Sequence, residues 1–485
     1  MRILQVNTAD EAGGAEAVVW QLMQGYRRAG HASWMAVGRK ISQDSHVVPL
    51  FHDQYRSAWS RFCLSLSGGI ERLTVSGGGG RRLHRSIGLG LGQPFRMWEY
   101  WRGKEDFDFP GTDDALNVVP GGPDLIHCHN LHGAWLRSGG YFDLSVLSDW
   151  SKRRPVVLTL HDAWMLSGHC AHSFECDRWQ TGCGDCPDLR IYPAVRHDAT
   201  AFNWTRKRAI YAKSRVYVAT PSRWLMQKVQ DSILSPAVID SKVIPNGVDR
   251  SIFCPSVDKA AVRDDLGIPR RIQVLLFVAH GIRNNMWKDY GMLRNVMERV
   301  AAQTKGRELW FLALGEEAEA ERIGNVTIRF VPYIRDKRKL AQYYQAADAY
   351  VHAAKADTFP HSVLEALACG LPVIATAVGG IPEQVEYGET GFLVPRGDAE
   401  GMAAHILRLL ADDDLRTHCI DRAVETASRR FDVSLQISSY LDWFESIIRA
   451  WKPEGDGHRP PVPRGEPSGE ADFATARAAE VAGRR

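Results

Sequence analysis

Short, mainly apolar runs alternate with helical stretches along most of this 485-residue chain, and no other feature restricts its fold as much. Arg2 to Val6 is the first run, followed by the polar, glycine-containing turn Asn7 to Gly14. Ala15, Val18, Val19, Leu22, Met23 and Tyr26 then recur at helical spacing, which predicts a helix over Ala15 to Ala29 that Gly30 stops. Trp34 to Val37, Leu125 to Cys128, Val156 to Leu160, Val216 to Ala219 and Lys242 to Ile244 continue the strand series. A second round opens at Gln273 to Val278. It proceeds through Leu309 to Leu314, Val326 to Phe330, Ala349 to His352, Val373 to Ala375 and Phe392 to Val394. Helical stretches such as Tyr290 to Ala302 and Leu340 to Ala346 lie between these strands. Strands that are buried on both faces and separated by helices belong in a parallel, doubly wound sheet. Two rounds therefore predict an α/β protein with two Rossmann-like domains.

Length agrees, because a chain of this size exceeds what one core serves. The expected domains are residues 1–255 and 268–430, followed by a helix within 431–452 and a tail, 453–485, rich in Pro, Gly and charge and expected to be disordered. Inside the first domain, 51–114 is an irregular, basic excursion and 169–187 holds a cysteine cluster. The net charge of +3 is too small to argue for nucleic acid as a partner. No run of eighteen apolar residues occurs, and Met1 to Asn7 turns polar too early for a secretory leader. Nine cysteines, four of them clustered, suit a reducing compartment and a metal site better than a disulfide scaffold, so a cytoplasmic protein is expected.

The stretch VHAAKADTFPHSVLEALACGLPVIATAVGGIPE, residues 351–383, carries the most chemistry. Proline is favoured at the first helical position, so a helix is expected from Pro360 to Cys369, with Gly370 as its left-handed stop. Its N-terminus lies just beyond the carboxyl end of strand Ala349 to His352, where open α/β sheets bind ligands. Unpaired amides and a partial positive charge suit that end to phosphate. Asp357 and Glu365 flank it and cannot favourably touch phosphate, which points them at neutral hydroxyls on either side of a diphosphate: Glu365 at a ribose, Asp357 at a sugar. On pattern alone the plainer reading is favoured, with Asp357 as a helix cap and Glu365 on a solvated face.

The Asp-x7-Glu pair with EALACGLPVIATAVGGIPE resembles the signature of family 4 glycosyltransferases. GGAE at Gly13 to Glu16, PDLIHCHN at Pro123 to Asn130, LTLHD at Leu158 to Asp162, PSRW at Pro221 to Trp224 and IPNGVD at Ile244 to Asp249 extend the resemblance over nearly the whole chain. The family's usual pair is Glu-x7-Glu, and Asp in the first place is similar to the branch of colanic-acid and other exopolysaccharide transferases. The resemblance implies the GT-B fold, with a cleft between the domains and a last helix that crosses back to the first. It implies a retaining hexosyltransferase with a nucleotide-diphosphate sugar as donor and a glycan acceptor, on a lipid carrier. It places Gly13 and Gly14 in the cleft, His161 beside the donor sugar near the reacting carbon, and Lys288 against the donor diphosphate. Gly315 and Glu316 would cradle base and phosphates, while Phe359, Pro360, His361 and Ser362 would complete the donor site. The family's arginine before that lysine is missing: Ala279-His280 stands in its place, and either His280 or Arg283 replaces it, with Arg283 preferred. The same fold also admits a sugar-nucleotide epimerase, and a non-catalytic subunit that binds a nucleotide sugar or glycan is a third reading. No cofactor is required for the chemistry that the resemblance implies.

Two further features stand apart. Cys170, Cys176, Cys183 and Cys186 end in C-x2-C, good geometry for a closed, structural zinc site, with His169 and His172 as alternates for one ligand. Free buried thiols are the competing reading. Between Gln54 and Lys104 nine Arg and Lys stand against two Glu, interleaved with Trp59, Phe62, Trp98 and Trp101. Such a segment could rest on an anionic inner leaflet as a peripheral contact, or be a solvated basic loop.

Overall fold

The computed structural model of the chain describes residues 1–11, 13–73, 86–133, 136, 140–304 and 306–453; the tail beyond Pro453 and the Gly- and Arg-rich stretch 74–85 lie outside them. The first half is a seven-stranded sheet: β1 (Arg2–Ala9), β2 (Ala32–Arg39), β3 (Val47–Pro49), β4 (Leu125–Cys128), β5 (Val156–Thr159), β6 (Val216–Thr220) and β7 (Val238–Val243). Their order is β3-β2-β1-β4-β5-β6-β7, and every pair is parallel. The second half is also seven-stranded: β8 (Gln273–Val278), β9 (Leu309–Leu314), β10 (Glu321–Ile323), β11 (Val326–Val331), β12 (Ala349–His352), β13 (Val373–Thr376) and β14 (Gly391–Val394). Its order is β10-β11-β9-β8-β12-β13-β14, with only β10 antiparallel, because a tight turn at Gly324 joins it directly to β11. Strand order reverses between β1 and β4 and again between β8 and β12. Each reversal opens a crevice at the carboxyl ends of the strands.

The apolar runs explain the strands. In β4, β5, β6, β9, β12 and β13 every residue is buried, as expected where helices cover both faces of a parallel sheet. The structure departs from the sequence reading at the edges. β1 runs on to Ala9, β7 begins at Val238 rather than Lys242, and the short edge strands β3 and β10 were not anticipated. The excursion 51–114 is not simply irregular: it carries the helices Ala58–Leu73 and Pro94–Trp101, a π-type turn at Ser86–Leu91 and a 3-10 segment at Pro110–Val118.

The last helix, Val433–Ala450, follows the second sheet's helices in sequence yet packs on the first sheet. Its Tyr440, Phe444 and Ile447 are buried against Ile3, Val18, Leu22 and Tyr26. Trp443 Nε1 donates to Asp240, and Tyr440 Oη lies 3.0 Å from Thr159 Oγ1. Residues 1–451 form one compact unit.

Candidate active site

The carboxyl ends of both sheets line one cleft of about 440 Å³. From the first half come Gly13, Gly14, His161, Pro221 and Asn246; from the second come His280, Lys288, Gly315, Tyr333, Asp357 and the residues from Phe359 to Ser362, with Glu365. Most expected site residues are therefore brought together.

The helix after β12 spans His361–Ala368, with Pro360 one place earlier than the first helical position, as an extended N-cap (φ −63, ψ 127). No side chain caps its first amides, which leaves them open to the cleft. Glu365 sits one turn in and accepts a hydrogen bond from Tyr344 Oη at 2.8 Å. Burial raises its carboxyl pKa, with Tyr344 acting against the rise. Asp357 does not cap the helix: Lys288 Nζ donates to its Oδ2 at 2.5 Å. The buried His352 completes the group, its Nε2 lying 3.2 Å from Lys288 Nζ and 3.5 Å from Asp357 Oδ2. Burial alone would raise the Asp357 pKa, yet Lys288 and His352 hold it well below the usual carboxylate range. Burial, with Lys288 adding to it, pushes His352 down to about 4.

Glycine is required at two places beside this group. Gly315 has φ +116, and a Cβ there would lie 1.7 Å from the Ala279 carbonyl oxygen. Gly379 has φ +56, and its Cβ would lie 1.8 Å from the Asp357 carbonyl oxygen. The AVGGIPE turn thus presses directly on the backbone that carries Asp357.

Two expected donor residues stand aside. Arg283 and Glu316 pair with each other, Nε to Oε1 at 2.6 Å, while the Ile282 and Arg283 amides also donate to the Glu316 carboxylate. Neither lines the cleft. His280 does, edge-on to Tyr333 at 5.3 Å, so at the place of the missing arginine the structure favours His280 over Arg283. Arg335 and Lys337 also line the cleft and were missed. The basic run Arg335, Lys337, Arg338 and Lys339 after β11 was their only signal in the sequence.

On the first-half side His161 Nε2 lies 3.1 Å from His129 Nδ1, and their rings stack. Burial pushes the His161 pKa down to about 4, leaving a neutral ring against the cleft. Asp162 Oδ2 is 2.8 Å from His132 Nε2, and its other oxygen accepts from the Trp164 amide. Glu16, in the first turn of helix Gly14–Arg28, is buried, and burial raises its pKa.

Contacts across the cleft hold the halves together. The Arg223 and Trp224 amides, at the start of helix Arg223–Gln230, donate to the Glu383 carboxylate at 2.8 and 2.9 Å. Phe174 stacks on Trp287, the neighbour of Lys288, and Glu175 pairs with Arg396. This segment is the cysteine-rich one. Cys170, Cys176, Cys183, Cys186 and His169 line one hollow of about 20 Å³, and His169 Nε2 lies 3.3 Å from Cys186 Sγ. His172 instead stacks on Trp224. Among the described residues no group of three or more His, Cys, Asp or Glu is disposed to hold a metal ion, so the hollow gathers the ligand types without a formed ligand shell. Also among the described residues, no helix is long and apolar enough to cross a membrane.

Comparison with known proteins places the chain among glycosyltransferases. The model of Glycosyltransferase Family 4 matches residues 12–252, and that of Glycosyl transferases group 1 matches residues 272–412. A protein named for colanic acid biosynthesis, the glycosyl transferase WcaC of Escherichia coli K12, is 29% identical over 273 residues, 53% of this chain and 60% of its own length. The phosphatidyl-myo-inositol mannosyltransferase of Mycolicibacterium smegmatis is 30% identical over 218 residues, 44% of this chain and 53% of its own. The chain thus spans little more than half the length of the curated relatives it matches. Among solved structures, Anabaena Alr3699/HepE, crystallised with UDP and glucose, superposes with a TM-score of 0.60 at 19% identity over 92% of this chain and all of its own. The sucrose-phosphate synthase of Thermosynechococcus elongatus superposes with a TM-score of 0.57 at 19% identity over 93% of this chain and all of its own. At such identities the likeness is one of fold, two facing Rossmann-like halves of the GT-B type.

Proposed function

The chain belongs to glycosyltransferase family 4, and from that premise we propose that it moves a sugar from a nucleoside-diphosphate sugar to a glycan hydroxyl. One observation carries the reading: an uncapped helix N-terminus, the Lys288–Asp357–His352 group and Glu365 meet on one wall of the cleft, opposite His161. Open amides and Lys288 suit the diphosphate, whose negative charge grows as it leaves. Glu365, partly buried and held by Tyr344, suits a pair of ribose hydroxyls. His161, neutral and steadied by His129, suits a sugar hydroxyl near the reacting carbon. Asp357 then acts through Lys288, fixing the cation that meets the diphosphate.

The transfer is read as retaining, by front-side displacement. The bond from the anomeric carbon to the diphosphate oxygen breaks, the acceptor oxygen bonds to that carbon on the same face, and the acceptor's proton passes to the departing diphosphate. Both acids of the signature are engaged, Asp357 by Lys288 and Glu365 by Tyr344, which supports a mechanism without a carboxylate nucleophile. Closure of the halves would exclude water from the donor. The similarity to WcaC, named for colanic acid biosynthesis, supports a role in exopolysaccharide assembly; an acceptor glycan on a lipid carrier completes the proposal. A structural zinc in the cysteine hollow belongs to the same reading: binding one ion would draw the thiols inward and fix the segment that reaches Trp287.

The test is calorimetric titration with UDP, GDP, ADP and dTDP, with UDP as first probe because the Anabaena neighbour binds it. One nucleotide is expected to bind, and Glu365→Gln to weaken it about ten- to a hundredfold, the worth of a charge-assisted hydrogen bond. Unchanged affinity in Glu365→Gln, or no binding of any of the four, would overturn the assignment.

A further inference from the structure

Large apolar side chains left in water are the least expected feature of the first half. Among the described residues fifteen are exposed, and nine of them fall between Phe51 and Trp101. On helix Ala58–Leu73, Trp59, Phe62 and Leu66 are 60%, 60% and 47% exposed. On helix Pro94–Trp101, Phe95, Trp98 and Trp101 are 68%, 49% and 52% exposed. The spacings, i, i+3, i+7 and i, i+3, i+6, put each trio on one helical face, and here that face is turned outward. The two helices are tied together: Trp59 Nε1 donates to the Leu91 carbonyl, in the turn that leads to Pro94. A soluble domain seldom leaves so many large rings clustered in water unless something covers them.

Charge and side-chain type choose the occupant. The sequence between Gln54 and Lys104 carries nine cations against Glu71 and Glu99; of the nine, Lys104 binds Glu99 at 2.8 Å, and Arg56 and Arg96 pair with Asp108 and Asp106 just beyond the segment. Guanidinium groups stand over the exposed rings, Arg102 4.6 Å from the centre of Trp98 and Arg196 4.9 Å from that of Trp101. Rings with a polar edge and flanking arginines suit the headgroup layer of a lipid bilayer, and the excess of cations suits an anionic one. The surface is also linked by contacts to Asp162, the neighbour of the cleft-lining His161. Just past helix Pro94–Trp101, Glu105 accepts from Trp164 Nε1 at 2.6 Å, and the Trp164 ring lies 5.4 Å from His132, the partner of Asp162.

We propose that the outward faces of helices Ala58–Leu73 and Pro94–Trp101 form an interfacial anchor that seats the first half on an anionic membrane. The anchor rests on the reading of a lipid-borne acceptor, and it would bring that acceptor's headgroup beside His132 and Asp162. Co-sedimentation of the full chain with vesicles of phosphatidylcholine, alone or mixed with phosphatidylglycerol, tests it. Binding to the mixed vesicles is expected, and about tenfold or more weaker binding to the neutral ones, from two or three cations near the surface. Trp59→Ser with Trp98→Ser should lose most of that binding while nucleotide affinity is unchanged, and Arg102→Glu with Arg196→Glu should lose the preference for anionic lipid. Equal binding to both vesicles, no binding, or a homodimer in ultracentrifugation that the tryptophan variant breaks would each overturn the anchor. Nucleotide titration of the same proteins separates the two ideas. Nucleotide binding without vesicle binding removes the anchor alone, and vesicle binding without nucleotide binding removes the transferase reading.

Discussion

Lys288 and Asp357 stand 69 positions apart in sequence and meet with side chains only 11% and 19% exposed. Two charges so far removed from water are tolerable only together: either alone would be a buried, unpaired ion. Equilibrium unfolding should therefore show Lys288→Ala and Asp357→Ala each costing about 3 kcal/mol, and the double variant at least ~1 kcal/mol less than their sum. Additive costs would mean that the pair does not form in solution. The sequence offered each of these residues separately, through Asp-x7-Glu and the lysine before helix Tyr290–Gln303. It could not offer the pairing, because nothing in a linear pattern reports that strand β12 and the loop after β8 come side by side. For the same reason it preferred Arg283, whose guanidinium the structure spends on Glu316.

Among the elements, those with an apolar reason to exist were legible. β4, β8, β9 and β12 begin and end where their mainly apolar runs do, since burial on both faces leaves few polar positions to blur the pattern. β3 and β10 are three-residue edge strands, one holding a proline and the other two charges, and pattern reading has nothing to grip there. The helices of the 51–114 excursion were hidden by a different cause. Their apolar residues do follow helical spacing but face outward, beside a Gly-rich turn that reads as a loop. The cysteine segment is strained: Phe174, Cys183 and Asp185 are the only non-glycine residues with positive φ among those described. Such backbone costs about 1–3 kcal/mol per residue and persists where something over-determines it, a role that a bound ion would fill. Elemental analysis of protein purified without a His-tag or chelator should find about one zinc per chain, lost in Cys183→Ser with Cys186→Ser. No near-stoichiometric zinc in the unaltered protein would contradict the site.

At the scale of the molecule, two sheets turn their carboxyl edges toward each other. Three kinds of link hold them there: the final helix on the first sheet, Glu383 at the start of helix Arg223–Gln230, and the Phe174–Trp287 stack. The two rounds of strands and helices made this arrangement legible in outline. The return of the last helix was legible through the resemblance; the other two links were not, since each joins short segments far apart in sequence. Most of the chemistry assembled here converges on one small volume, the mouth of helix His361–Ala368. A crystal structure with the tightest-binding nucleoside diphosphate reads that volume directly. The expected density puts the diphosphate on the His361 and Ser362 amides within reach of Lys288 Nζ, and the ribose hydroxyls on Glu365. Nucleotide bound anywhere else, with these amides still facing solvent, would contradict the account.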